Sequence, residues 1–304
     1  MNRPSNVDIM IIGHFARDEL VVDGQSEVSS GGAVYYGSVA LRRMGLRVAI
    51  VTRLHPQDFP RLEEVKQEGV EVFAKPAPET SGIANFYDSA DMERRVCKPL
   101  GFAGPFGLEE IPDLPARIYF VGPIIAGEVD LALLKAIATQ GPVALDVQGF
   151  VRVREGGLST SSGQALVFRP WADMEEGLAQ VTYLKVDRAE AELLTGQTDL
   201  KSAARQLAGY GPQEIVLTQS SGVTVLADGH IYQAPFTPRS LAGRTGRGDT
   251  CFATYLGKRL SGSPEEATRF AAAVATLKQE TPGPWRGTVE DVQALMARGD
   301  HCFC

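Results

Sequence analysis

Short apolar runs alternate with helical patterns along most of this chain. Val7–Ile12 is an unbroken apolar run that ends at Gly13, which predicts a strand buried on both faces. Across 33–44 the apolar residues recur at helical spacing, and Gly45 follows as a stop signal. Further strands are predicted at 46–51, 117–121, 143–147, 181–186 and 214–217, and further helices at 129–138, 189–194 and 200–208. This alternation predicts an α/β domain with a mostly parallel central sheet flanked by helices.

Two segments do not fit the alternation of buried strands and helices. Residues 19–27 and 81–96 alternate polar with apolar positions, which is typical of exposed strands rather than of a buried parallel sheet. We interpret them as paired strands that project as a small β lid, inserted at about 16–30 and 81–98. No repeat or low-complexity linker divides residues 1–304, so we expect a single domain that carries this lid.

The last third of the chain has a hairpin followed by helices. Asp228-Gly229 stands between two alternating runs, a strong signal for a two-residue β-turn. After Asp249 the pattern becomes helical through three predicted segments, at 250–260, 264–278 and 289–296.

Composition limits the range of partners. The 304 residues are 44% hydrophobic, which is sufficient for a large core, and the net charge of −7 argues against nucleic acid or an anionic membrane as a partner. The four cysteines are too few for a disulfide framework, and no apolar run approaches the roughly 20 residues that span a bilayer. We therefore expect a cytoplasmic protein.

The strongest chemical signal is Gly246-Arg247-Gly248-Asp249, which precedes the helix predicted from Thr250. Two glycines let successive backbone amides converge on one point at a helix N-terminus, which makes an anion site. An aspartate beside a bound phosphoryl group can act as a general base. The alternative is a tight turn with an aspartate N-cap and no catalytic role.

This segment resembles the signature of the ribokinase-like (PfkB-type) carbohydrate kinases, in which a Gly-Ala-Gly-Asp turn forms the anion hole and supplies the base. Gly31-Gly32, at the start of the first helix, resembles the first signature of that family, where paired glycines form the lid hinge and contact substrate. The resemblance extends from Gly13 to about Thr288. It implies a three-layer ribokinase-like fold and a phosphotransferase with Asp249, Gly246, Arg247 and Gly248 in the catalytic turn.

The resemblance also implies a nucleotide and a metal. Asp187 and Glu190 match the Asn-x-x-Glu element, in which the glutamate organises Mg²⁺, usually through water. Thr218-Gln219-Ser220-Ser221-Gly222 resembles the loop beside the nucleotide, and places adenine between this loop and the helical region 272–284. The predicted cofactors are ATP and Mg²⁺. The predicted nucleotide contacts are Asp187, Thr218, Ser220, Gly222, Gly246 and Gly248.

The acceptor prediction rests on polar residues near the strand ends and the lid. Asp18 matches the aspartate that holds substrate hydroxyls in the family, while Gln148 and Arg152 follow a strand at the carboxyl edge of the sheet, where open α/β folds bind ligands. The predicted substrate contacts are Asp18, Gly31, Gly32, Asn85, Gln148 and Arg152. The form of the anion turn and Tyr35-Tyr36 resemble a branch of the family that includes archaeal inositol kinases.

Three departures from the family pattern bear on the substrate and the metal. Gly243 stands six positions before the base, where the family often has aspartate, Asp187 replaces an asparagine, and Tyr36-Gly37 stands where sugar kinases often have an asparagine. Arg247 also replaces the usual alanine. Its guanidinium could stabilise charge on the transferred phosphoryl group, or it could point to solvent or pair with a lid carboxylate.

The sequence thus predicts an ATP-dependent kinase of a small sugar or polyol. An inositol-like acceptor and a homodimer formed through the lid are further options. One alternative is a nucleoside kinase of the same family, with a base clamp from Phe86, Tyr87 and Phe102. Another is a non-catalytic ligand-binding protein on a kinase fold. We do not interpret the terminal His301-Cys302-Phe303-Cys304 as a metal site, because it has no second ligand pair at zinc-finger spacing.

Overall fold

The structure is a computed structural model that describes residues 7–22, 25–88, 91–155 and 165–300. The strands are β1 (Val7–Ile12), β2 (Ala16–Val22), β3 (Gln25–Gly31), β4 (Val48–Leu54), β5 (Glu71–Pro76), β6 (Gly82–Asp88), β7 (Asp91–Gly101), β8 (Ala116–Val121), β9 (Val143–Asp146), β10 (Arg152–Arg154), β11 (Leu166–Phe168), β12 (Tyr183–Asp187), β13 (Glu214–Gln219), β14 (Gly222–Ala227) and β15 (His230–Pro235). The helices are α1 (Ala33–Arg43), α2 (Glu63–Gln67), α3 (Leu131–Ala138), α4 (Gln148–Val151), α5 (Met174–Leu178), α6 (Arg188–Thr195), α7 (Leu200–Ala208), α8 (Arg247–Arg259), α9 (Pro264–Gln279) and α10 (Val289–Asp300).

A nine-stranded sheet forms the centre of the molecule, in the order β15-β14-β13-β12-β9-β8-β1-β4-β5. The seven strands from β13 to β5 are parallel, and β14 and β15 join the edge as an antiparallel hairpin. Asp228 and Gly229 turn this hairpin with φ angles of +51° and +77°. The mostly parallel α/β architecture expected from the sequence is confirmed.

Helices cover both faces of the sheet, which explains why β1 is apolar at almost every position. Ile9 and Ile11 face one core, which α1, α8 and α9 cover. Met10 and Ile12 face the opposite core, which α3, α6 and α7 cover. Because side chains alternate along a strand, an apolar run without alternation requires a hydrophobic environment on both faces. The molecule therefore has three layers.

A second sheet has four strands in the order β3-β2-β6-β7. It uses the two segments that the sequence predicts as projecting strands, over 16–31 and 82–101, with β2 and β6 paired in parallel. Ala16 and Ile83 at its base pack with Ile124 and Ile125 from the loop after β8. We call this unit the β2–β7 sheet; its predicted action as a lid is considered below.

Two predicted elements need correction, and three strands were missed. The helix predicted from Thr250 begins at Arg247, so Gly248 and Asp249 lie in its first turn. The strand predicted at 46–51 begins at Val48, because Gly45 and Leu46 still close the end of α1 through backbone hydrogen bonds. The sequence also missed β5 and the β10–β11 pair, since half-exposed or three-residue strands carry little periodic signal.

Within the described ranges, we find no helix with both the length and the apolar character needed to cross a bilayer. The terminal residues from His301 to Cys304 lie outside the described residues.

Candidate active site

The first turn of α8 presents unpaired backbone amides. Gly246 precedes the helix with φ of +78°, and a Cβ at this position would lie 2.3 Å from the ring of Tyr36, so only glycine fits. The amide of Arg247 donates to the carbonyl of Arg244 at 3.3 Å. Within the described part of the chain, no carbonyl accepts from the amides of Gly248 and Asp249. Amides without an acceptor at a helix N-terminus are able to bind an anion, which is the role that the sequence predicts for this turn.

The side chain of Asp249, in the same turn, lines a cavity of about 110 Å³. Burial raises the pKa of its carboxyl to about 6, with a further contribution from the nearby charge of Asp146. The cations Lys185, Arg152 and Lys278 act in the opposite direction. The carboxylate is therefore mostly ionised at neutral pH, yet has a raised affinity for a proton, which suits a general base.

Lys185, which the sequence analysis missed, provides a buried ammonium next to the anion turn. Its Nζ lies 2.9 Å and 3.0 Å from the two carboxylate oxygens of Asp146, and 3.9 Å from Glu190 Oε2. A Cβ on Gly248 would lie 3.8 Å from this Nζ, so the ammonium is within reach of an anion held by the turn. Burial by itself lowers the pKa of Lys185, but the carboxylates of Asp146 and Glu190 outweigh it, and the pKa is raised. Lys185 is therefore a permanent cation of the site.

Asp187 and Glu190 form a capping box at the start of α6. The Asp187 amide donates to Glu190 Oε2 at 2.7 Å, and the Glu190 amide donates to Asp187 Oδ1 at 2.8 Å. Glu190 is fully buried, and its Oε1 has no hydrogen-bond partner. Burial raises the pKa of Glu190 to about 7. A buried carboxylate oxygen without a partner fits a hard cation such as Mg²⁺, which takes one or two protein carboxylates and completes its shell with water and phosphate.

The opposite side of the cavity carries a polar network. Gln148 Oε1 accepts from Arg152 Nη2 at 2.9 Å, and Asp146 Oδ1 accepts from the Gln148 amide at 3.1 Å. The predicted acceptor contacts that line the cavity are Asp18, Gly32, Asn85, Gln148 and Arg152. The fold therefore brings together side chains from the β2–β7 sheet and from the carboxyl edge of the central sheet.

Gly31 has a different position from the other predicted acceptor contacts. It does not line the cavity, and a Cβ at this position would lie 2.2 Å from Asp18 Oδ2. Its absence of a side chain makes room for the Asp18 carboxylate, whose Oδ1 accepts from the Ile83 amide at 2.9 Å. Gly32 precedes α1 with φ of +87°.

The loop predicted to border a nucleotide is a two-residue turn between β13 and β14. Ser220 is exposed on this turn, and Gly222 is buried where a Cβ would lie 2.5 Å from the Ala234 carbonyl oxygen. Neither residue lines the cavity beside Asp249. Thr218 is buried, and its Oγ1 lies 4.0 Å from the position of a Cβ on Gly248. Of the three loop residues, Thr218 alone approaches the anion turn.

The side chain of Arg247 lies between β15 and α9. Its guanidinium carbon is 5.5 Å from the centre of the Phe236 ring, and its Nη1 donates to Gln279 Oε1 at 3.5 Å. The Phe236 amide donates to the Ser221 carbonyl, and the Thr237 amide donates to Thr276 Oγ1. Phe236 and Arg247 thus occupy space between the 218–222 turn and α9, where the sequence predicts adenine.

Residues 8–289 match the family model of the pfkB family carbohydrate kinases, and the chain belongs to this family. It is accordingly a phosphotransferase, as the resemblance in its motifs predicts. A ribokinase from Arabidopsis thaliana, bound to ribose and ATP, has the same fold, with a TM-score of 0.72 at 20% identity over 95% of this chain and 98% of that one.

More similar solved structures are pyrophosphate-dependent kinases of the ribokinase family. One sulfate complex is 36% identical and has a TM-score of 0.86, covering 94% of this chain and 99% of its own. A second, described as a pyrophosphate-dependent myo-inositol-1 kinase converted into a myo-inositol-3 kinase, is 34% identical with a TM-score of 0.84, covering 97% and 100%. A cytidine kinase from Thermococcus kodakarensis is 26% identical over 93% of this chain and 100% of its own.

Proposed function

We propose that this chain transfers a phosphoryl group from pyrophosphate to a hydroxyl of a cyclic polyol of the inositol type. The observation that carries the proposal is the position of Asp249, which stands between the amides of the α8 turn and a cavity lined by hydrogen-bonding side chains. A general base, an anion site and a polar acceptor pocket therefore meet at one point, as in-line phosphoryl transfer requires.

In the proposed reaction, the acceptor hydroxyl attacks the phosphorus held at the α8 turn. A new oxygen–phosphorus bond forms, the bond to the bridging oxygen of the donor breaks, and inorganic phosphate leaves. Asp249 takes the hydroxyl proton and later releases it to phosphate or solvent. The amides of Gly248 and Asp249, with the Lys185 ammonium, stabilise the negative charge on the transferred group.

Glu190 would hold Mg²⁺ through its unpartnered Oε1, directly or through water. When bound there, Mg²⁺ neutralises charge on the donor phosphates.

Two observations support pyrophosphate as donor in place of the ATP that the sequence predicts. The pyrophosphate-dependent neighbours are 34% to 36% identical over nearly the whole chain. Phe236 and Arg247 also stand where a base would lie, and the guanidinium suits a second phosphate better than an adenine. ATP is the alternative donor, supported by the motifs that resemble a nucleotide site.

The acceptor cavity supports a polyol more than a nucleoside. Its polar members can bind several hydroxyl groups, and its volume of about 110 Å³ is below the roughly 300–1,000 Å³ typical of larger ligands. Two of the three rings considered as a clamp for a base have other contacts: Phe102 packs on Arg154 at 4.2 Å, and Phe86 lies under the Lys98 ammonium. Neither ring lines the cavity. The side chain of Tyr87, the third ring, lies outside the described residues.

The β2–β7 sheet supplies Asp18 and Asn85 to this cavity, which supports the expectation that it acts as a lid. Movement about Gly31-Gly32 would exclude water and limit transfer of the phosphoryl group to water. Dimerisation through this sheet remains a prediction.

A matrix of two donors and three acceptors tests the proposal. Purified protein with Mg²⁺ is mixed with pyrophosphate or ATP and with myo-inositol, ribose or cytidine, and phosphorylated product is detected by ³¹P NMR. We expect the highest kcat/KM for pyrophosphate with myo-inositol. Product from ATP and cytidine alone would make the chain a nucleoside kinase, and ligand-induced stabilisation without any product would favour a binding protein.

Replacement of Arg247 tests the donor assignment separately. A charge-assisted contact with phosphate contributes about 1.5–3 kcal/mol, so Arg247→Ala should weaken use of pyrophosphate by roughly 10–100-fold without equal loss of ATP use. Arg239→Ala is the matched control, because Arg239 is an exposed arginine on the neighbouring segment, paired with Glu280. Equal rates for Arg247→Ala and wild type would remove Arg247 from the donor site.

A further inference from the structure

Lys278 is a buried lysine on α9 for which the reaction above has no stated use. Its side chain is 1% exposed, and lysine is among the residues least often buried without a partner. The ammonium donates to the carbonyl oxygen of Gly243, and it lies 5.0 Å from the centre of the Tyr36 ring. Both neighbours are close to the anion turn. Gly243 lies three residues before Gly246 in the sequence, and the Tyr36 ring packs on Gly246.

The segment around Gly243 is fixed to α9 with little space between them. The Gly243 amide donates to the Gln279 carbonyl at 2.8 Å, and a Cβ on Gly243 would lie 1.7 Å from the Thr281 carbonyl oxygen. The aspartate that related sequences often carry at this position therefore cannot be accommodated here. The Gly243 carbonyl instead accepts from the Lys278 ammonium, so a cation of the chain itself lies behind the turn.

The charge of Lys278 is not balanced by a close carboxylate. Among the described residues, no Asp or Glu oxygen lies within 4.0 Å of its Nζ, whereas the other buried lysine of the site, Lys185, is paired with Asp146. One of its three N–H donors is used by Gly243, and Asp249 is a more distant source of negative charge. An unpaired buried ammonium is unfavourable in the empty site and becomes favourable when an anion binds nearby.

We infer that Lys278 is a built-in cation and positioning residue of the donor site. It holds the 243–246 segment in the conformation that presents the α8 amides, and the bound donor phosphate supplies the close negative charge that the described residues do not. This inference rests on the proposed phosphotransfer at that turn, and it assigns to α9 a role that the motifs do not indicate. The pKa of Lys278, lowered to about 8 by burial, agrees with an ammonium that has no close counter-ion.

The test compares thermal unfolding and steady-state kinetics of wild type, Lys278→Met and Lys278→Arg. Without ligand, the unfolding temperature of Lys278→Met should differ little from that of wild type, because removal of a buried charge offsets the loss of the hydrogen bond to Gly243. It should lose most of the stabilisation by pyrophosphate, and its kcat should fall by roughly 10²–10³-fold, as on removal of one electrostatic donor from a catalytic site. Lys278→Arg should recover part of both, since its charge is kept.

Lys201→Met is the matched control, because it removes an exposed ammonium on α7 far from the turn in sequence. A Lys278→Met protein that is less stable without ligand but keeps the full pyrophosphate shift and kcat would overturn the inference. If Lys278→Met does not fold, Lys278→Ala with added methylammonium decides: restored activity supports the role, and absence of restoration contradicts it. If wild type is stabilised by ATP and not by pyrophosphate, the donor proposal fails, and the same variants are compared with ATP.

Discussion

The acceptor side and the donor side of the proposed active site differ in how far their polar groups already have hydrogen-bond partners. On the acceptor side, Arg152, Gln148 and Asp146 form one chain of hydrogen bonds, so these groups are oriented before a substrate arrives. On the donor side, the amides of Gly248 and Asp249 have no carbonyl acceptor among the described residues, and the Lys278 ammonium donates to the Gly243 carbonyl but has no close carboxylate there. Under the proposed function, the pre-formed hydrogen bonds of the acceptor side would recognise hydroxyl geometry, and the donor side would receive the charge of the phosphoryl donor.

Asp249 lies at the boundary between these halves, and its replacement should have the largest effect. Asp249→Asn keeps the shape of the side chain but removes the base, so kcat should fall by about 10²–10⁴-fold. Donor and acceptor binding, measured by calorimetry, should change little. A variant that retains the wild-type kcat would show that another group removes the proton.

Replacement of Lys185 tests how far the donor side depends on a cation that is paired with a carboxylate. Lys185→Met leaves the Asp146 carboxylate buried without its partner, which should cost about 3–5 kcal/mol in the free energy of unfolding, measured with urea. The double variant Lys185→Met/Asp146→Asn should recover most of that stability but not the kcat. Recovery of both would make the pair a purely structural feature.

The pH profile of kcat/KM should show separate effects of the base Asp249 and of the donor-side cation Lys278. Below pH 6, protonation of Asp249, whose pKa is about 6, should reduce the rate about tenfold per pH unit. Above pH 8, the loss of the proton from Lys278, whose pKa is about 8, should weaken donor use. Lys278 is faced by the Gly243 carbonyl, by the Tyr36 ring from α1 and by Asp249 from α8. Lys278→Arg should abolish the alkaline decline and leave the acid limb unchanged.

A smaller and more selective effect is expected on the acceptor side. Gln148→Ala removes one partner of Arg152 and one possible hydroxyl contact, at a cost of about 1 kcal/mol. The KM for the acceptor should rise by roughly fivefold, while the KM for the donor stays constant in steady-state assays. An equal rise in both constants would indicate that the two halves are not separate.

Local patterns were sufficient to predict most strands of the central sheet and several residues that line the cavity with Asp249. The apolar run of β1, the glycines of the anion turn and Asp249 each carry their signal in a few neighbouring residues. Lys185 could have been suspected, because it is a lysine in a strand whose neighbours Leu184 and Val186 are fully buried. Its partner Asp146 is 39 residues away, and only the adjacency of β9 and β12 brings them together.

The positions of Lys278 and Arg247 could not be predicted in the same way. From the sequence alone, a lysine near the C-terminal end of an alanine-rich helix is expected to interact with the last carbonyls of that helix. Its actual acceptor is Gly243, on a segment 35 residues earlier in the chain, and the place of Arg247 beside Phe236 depends on how β15 packs against α9. The contacts that place these two side chains are therefore a property of the tertiary structure.

The hydrogen bond from the Ile83 amide to Asp18 joins β2 to β6 through the side chain that is also expected to grip the acceptor. A molecule that competes with the Ile83 amide for this carboxylate would also weaken the link between β2 and β6. If the acceptor binds Asp18 and the β2–β7 sheet acts as a lid, as proposed, acceptor recognition and strand alignment are coupled. A truncated acceptor that cannot reach Asp18 should then fail to trigger closure even when its reactive hydroxyl is intact.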